Sequence, residues 1–91
     1  MTIPALEPKD PDDVVDYSVD WTDWLAGDTI ATSVWVVPTG ITKDSDTNDT
    51  TSATIWLSGG TEGDDYQLTN RITTAAGRTK DKSFTITCET T

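Results

Sequence analysis

At 91 residues the chain has room for one domain, and that domain is small enough to leave a large share of its chain surface exposed. A net charge of −10 repels nucleic acid and anionic membrane surfaces, which excludes both as partners. A single cysteine excludes an internal disulfide and a thiolate cluster, and the absence of histidine removes the usual neutral-pH base and the commonest metal ligand.

The N-terminal stretch "MTIPALEPKDPDDVV" lacks the basic start and apolar run of a signal peptide. No stretch approaches the 18 apolar residues of a membrane span, so the chain is expected to be made and kept in a cytosol-like compartment, or to leave it by lysis. Pro4, Pro8 and Pro11 deny residues 1–13 the donors of a sheet ladder. That segment reads as an extended arm, either a frayed terminus or a segment that docks on a partner. Residues 14–91 form the domain. Val15, Tyr17, Val19 and Trp21 alternate with polar residues, the pattern of a half-buried strand. "DWTDWLAG" then brings Trp21, Trp24 and Leu25 to helical spacing, which predicts a single helical turn closed by Gly27.

"DTIATSVWVVP" predicts a second strand of ambiguous face, with Ile30, Val34 and Val36 on one side and Ala31, Trp35 and Val37 on the other. Such a run suits a strand covered on both sides, or one that changes sheet. "PTGITKDSDTNDTT" reads as a turn, a short strand around Ile41 and then a polar loop. In "SATIWLSGG", Ala53, Ile55 and Leu57 share a face opposite Thr54, Trp56 and Ser58. The final hairpin runs from Tyr66 to about Cys88 and turns at "AAGR", where Gly77 supplies positive φ. Its inward residues are Leu68 and Ile72 on one strand, and Phe84, Ile86 and Cys88 on the other.

Frequent β-branched threonine, alternation with a period of two, about six short strands and no long helix make the class all-β, an immunoglobulin-like β-sandwich. "GDDYQL" places Tyr66 where a tyrosine corner would reach back to the preceding loop; an ordinary core tyrosine fits equally.

No catalytic apparatus is legible. Cys88 continues the apolar side of the last strand and has no histidine to activate it. Asp44, Asp46 and Asn48 match the first ligand positions of a calcium loop, but Asp49 stands where its glycine belongs and Ile55 where its glutamate belongs. The features that point to partners are of another kind. Trp56 faces outward between Thr54 and Ser58, as an interface anchor or as a residue covered by the N-terminal arm. Residues 1–65 carry 14 of the 16 acidic side chains, whereas four of the six basic ones, Arg71, Arg78, Lys80 and Lys82, crowd the last hairpin. Those cations either keep an edge strand soluble or dock on an acidic neighbour, including a second copy of the chain.

"DYSVDWTDWLAGDTI", "SATIWLSGG" and "YQLTNRITTAAGRTKDKSFTI", in this order, resemble the small fiber-tail adaptor proteins of tailed bacteriophages, over roughly residues 10 to 88. The resemblance implies a virion structural protein, made in the host bacterial cytoplasm. It would join fibers to the tail or neck, with other tail, neck and fiber proteins as partners, in several symmetric copies forming a ring. It implies no enzyme activity and no cofactor. The chain departs from the family in a longer proline-rich arm before Asp10 and in Cys88, where a β-branched residue is expected. Trp56, Arg71, Arg78, Lys80 and Lys82 rest on alternation and charge alone. The alternative function is a non-catalytic carbohydrate- or calcium-binding module, with Trp56 stacking on a sugar face.

Overall fold

A computed structural model describes residues 9–89 as two three-stranded antiparallel sheets packed face to face, a β-sandwich. One sheet has the order β1 (Val15–Asp20), β4 (Ser52–Gly59), β3 (Ile41–Asn48), and the other β2 (Ile30–Val36), β5 (Asp65–Thr74), β6 (Thr79–Thr87). The core is the set of inward side chains that alternation selects. Tyr17 and Val19 come from β1, Ala53, Ile55 and Leu57 from β4, Leu68 and Ile72 from β5, and Phe84 and Ile86 from β6, all buried. Each large apolar side chain buried this way contributes about 1.5–3 kcal/mol, which is how a chain with few hydrophobic residues closes a core. The turn α1 (Thr22–Leu25) plugs one end with Trp21 and Leu25. Ala26 ends it in the left-handed region at φ 50°, with Gly27 following at φ 93°, so the reversal begins one residue before the glycine expected to close it.

Two expectations need correction. β2 is covered on one side only. A bulge between Ile30 and Thr32 shifts the register, so Ile30 and Trp35 both face the core although their numbers differ in parity. Val34 and Val36 are left on the outer surface. The polar loop expected after a short strand around Ile41 is instead the continuation of that strand, the eight-residue β3. Ile41 is buried and most of the remaining positions are exposed, because β3 lies at a sheet edge and pairs only with β4. Its ladder hydrogen bonds to β4 outweigh a composition of Asp, Ser, Thr and Asn that alone favours a loop.

One buried polar group organises the interior. Asn70 has the inward parity of Leu68 and Ile72, and its Oδ1 accepts the Trp21 indole N–H at 2.9 Å. Its Nδ2 donates to Ser33 Oγ at 2.9 Å and to the Val34 carbonyl at 3.2 Å, so it ties α1's approach to β2 and β5.

At the opposite end the sheets cross between β4 and β5, and there the Tyr66 hydroxyl accepts the Thr61 N–H at 2.9 Å. Gly60, at φ 100°, lets the chain pass over the Cys88 sulfur: a Cβ at this position would lie 2.4 Å from Sγ. The part of the expected arm before Lys9 lies outside the described residues. Lys9 itself forms a parallel bridge to Cys88, its side chain is 1% exposed, and its Nζ donates to the Gly59 carbonyl at 2.7 Å and the Asp10 carbonyl at 2.9 Å.

Candidate partner-binding surfaces

The side chains selected by sequence do not form one site. Trp56 stands on the outer face of the β1-β4-β3 sheet, 40% exposed, between Asp16 of β1 and Ser45 of β3 in register. It points away from the core because Ile55 and Leu57 on either side are fully buried. The rim is polar: the Ser18 and Thr54 hydroxyls share a 2.8 Å hydrogen bond, and Ser58 Oγ donates to Asp44 at 2.8 Å. A large apolar side chain ringed by hydroxyls and carboxylates on a flat sheet is the kind of surface another protein can cover.

The hairpin cations separate. Arg71 is on the outer face of the other sheet, opposite Asp81 in register, and clasps it with Nε at 2.7 Å and Nη2 at 3.0 Å. The hydrogen bond from Arg71 is the main cause that holds the Asp81 carboxyl below the usual range. Both groups stay largely in water, so the pair adds little stability. Next to Arg71 in register is Val34, and Val34 and Val36, each 56% exposed, form a short apolar strip on the edge strand β2. Alternation alone assigns these valines no role, because the bulge conceals which of β2's two apolar rows faces out.

Arg78 turns back onto α1. Its guanidinium sits 4.5 Å from the ring centroid of Trp24, donates to the Leu25 carbonyl at 2.8 Å and meets the Asp28 carboxylate at 3.1 Å. Asp28 is held below the usual carboxylate range first by the Thr74 hydroxyl, then by the Thr29 N–H, with Arg78 adding to them. This cation therefore fastens the hairpin turn to the helical turn. Lys80 and Lys82 share the parity of Phe84 and Ile86, and lie opposite Ile72 and Asn70. They are thus on the inward side of β6, beyond the part of the sandwich that covers it; Lys80 is exposed and Lys82 half-buried.

The calcium-like spacing does not survive folding into β3, since the loop it presupposes is a strand. Asp46 is paired with Lys43 at 2.6 Å and Asp44 is bonded to Ser58. Among the described residues no three metal-ligating carboxylates or thiols converge. Cys88 is buried, and burial pushes its thiol up, away from the thiolate a nucleophile needs.

The sandwich and its two solvent-facing sheets span the segment that decides the family. Residues 9–87 match the family described as podophage GP4 fiber-tail adaptor protein gp77. The chain belongs to that family. It is a virion structural adaptor and not an enzyme. No curated protein matches the chain at a significant level. The fiber-tail adaptor presents two sheet faces, each with exposed apolar side chains and polar neighbours.

Proposed function

We propose that this chain joins tail fibers to the tail or neck of the virion by protein–protein contacts alone, in several symmetric copies that close into a ring. On this reading it is made in the host bacterial cytoplasm and incorporated during assembly. The observation that carries the proposal is the family match over residues 9–87, which takes in every strand of the sandwich. Its physical support is the pair of outward sheet faces, one centred on Trp56 and the other on Val34, Val36 and Arg71. Two faces on opposite sides of a thin sandwich suit a protein that holds two neighbours at once. The cations contribute unequally. Arg71 and Arg78 are committed within the chain, which leaves Lys80 and Lys82 to meet an acidic neighbour, a second copy included.

The sandwich is, on the same proposal, immunoglobulin-like, with residues 1–13 an arm and 14–91 the domain. Two features support the topology. The sheet orders β1-β4-β3 and β2-β5-β6 correspond to B-E-D and C-F-G of that fold without its first strand. Trp35 on the strand that corresponds to C and the Tyr66 corner bond at the start of F fall where that fold carries a buried Trp and a tyrosine corner.

Photocrosslinking tests the contact reading. A photoreactive amino acid replacing Trp56 in assembled particles should capture a tail or fiber protein, or a second copy. Particles that contain the variant at the normal level yet give no crosslink from this position would remove Trp56 from the interface.

A further inference from the structure

The outer face of the β1-β4-β3 sheet carries charge of one sign. Of the side chains that β1 and β4 turn outward, Asp16 and Asp20 are charged, both exposed, and none is basic. Trp56, 40% exposed, stands in register with Asp16. Pairing this face with the same face of another copy would set like charges against each other across the contact, which disfavours a two-fold arrangement. The occupant that fits brings a cation for the carboxylates and an apolar contact for the indole.

The chain itself carries such a group. Ala75, Ala76 and Gly77, in the turn between β5 and β6, are exposed and small enough to lie flat on an indole ring. Lys80 follows, also exposed, with Lys82 half-buried two residues on. Lys43, Arg71 and Arg78 pair with Asp46, Asp81 and Asp28, and Lys9 is buried. Among the described residues, Lys80 and Lys82 are therefore the cations left for a carboxylate of another molecule.

The turn is also fixed in place before it meets anything. The Thr74 N–H donates to the Arg78 carbonyl at 2.8 Å, the Gly77 N–H to the Thr74 carbonyl at 2.9 Å, and the Ala75 N–H to the Thr29 carbonyl at 2.9 Å. Arg78 then fastens the turn to α1 through Trp24, Leu25 and Asp28. A loop held this way loses little conformational freedom on docking, so more of its contact energy remains for affinity.

We propose, resting on the adaptor reading, that the β5–β6 turn of one copy seats on the Trp56 face of the next, with Ala75 and Ala76 against the indole and Lys80 paired with Asp16. The contact joins two different surfaces of the chain. Each copy therefore offers its turn to one neighbour and its face to another, the kind of contact that builds a ring when the rotation between copies closes.

Sedimentation velocity on the full chain, with charge reversal on each side of the contact, tests the proposal. The native chain should self-associate as its concentration rises toward about 1 mM. Lys80→Glu and Asp16→Lys should each weaken that association at least about tenfold at low salt, with Tm unchanged. Mixed in equal amounts, the two variants should associate as the native chain does, because each turn then meets a face of opposite charge. A native chain that stays monomeric over this range would overturn the proposal. So would a single variant that associates like the native chain, or a mixture that stays dissociated. All three outcomes leave the adaptor reading standing, since that reading falls on absence of the chain from intact particles.

Discussion

Gly60→Ala isolates the contact that closes the β4–β5 corner. The backbone at Gly60 has φ 100°, and an added Cβ would meet Cys88 Sγ at 2.4 Å, Tyr66 Cε2 at 3.5 Å and Cys88 Cβ at 3.7 Å. Only the sulfur is closer than van der Waals contact permits. Positive φ costs an L side chain about 1–2 kcal/mol, and forcing a methyl group into a filled site costs about 1–3 kcal/mol more. The sum, about 2–5 kcal/mol, is a large part of the total stability of a small domain, and should lower Tm by at least about 8 °C. Cys88 is fully buried, so the sulfur has no solvent to rotate into. Cys88→Ala removes the obstruction and leaves only ordinary contacts. In the Cys88→Ala background, Gly60→Ala should therefore cost about 1–3 kcal/mol less than in the native chain. Urea denaturation followed by tryptophan fluorescence on the four proteins of the cycle reads this coupling. Additivity within about 0.5 kcal/mol would refute the steric account and leave backbone strain as the whole effect.

Arg78→Ala should lower stability by about 1–2 kcal/mol through loss of the Trp24, Leu25 and Asp28 contacts, measured by thermal melting. Lys80→Glu with Lys82→Glu should leave the melt almost unchanged while weakening assembly in a salt-dependent way. The converse pattern would assign the docking charge to Arg78. Asn70→Leu strands the Trp21 indole N–H in the core and should cost about 1–3 kcal/mol; a variant as stable as the native chain would show that the indole finds another partner. Asp49 is held below the usual carboxylate range first by the Thr51 N–H and then by the Ser52 N–H and hydroxyl. A depressed folded pKa stabilises above the unfolded value near 4 and loses that contribution as pH falls through the folded one. The stability gap between the native chain and Asp49→Asn should thus be present at pH 7 and shrink below about pH 4. Urea midpoints that diverge on acidification would contradict it.

The strands β1, β4, β5 and β6 were legible because each buries one face and keeps apolar residues along it at a period of two. Trp56 could be placed outward from Ile55 and Leu57 alone. β2 was legible as a strand but its faces were not, because one bulged residue near Ala31 exchanges them, and a period-two pattern cannot register an insertion that only pairing with β5 reveals. β3 failed for the opposite reason. An edge strand that buries little besides Ile41 leaves almost no apolar signal. Asn70 carried a readable sign, since it interrupts the inward row of Leu68 and Ile72. The fate of Arg78 carried none: Trp24 and Asp28 lie some fifty residues away in sequence, and a cation beside a turn glycine looks solvated until the fold returns α1 to it. The buried Lys9 was equally hidden, because lysine among prolines and aspartates reads as surface.

The most direct test of the adaptor account is made on intact virions. Gradient-purified particles from the phage that encodes the chain would be digested and quantified by mass spectrometry against the tail and portal proteins. The account predicts that the chain is present at a fixed copy number per particle, a multiple consistent with ring symmetry. Its absence from infectious, intact particles would contradict it.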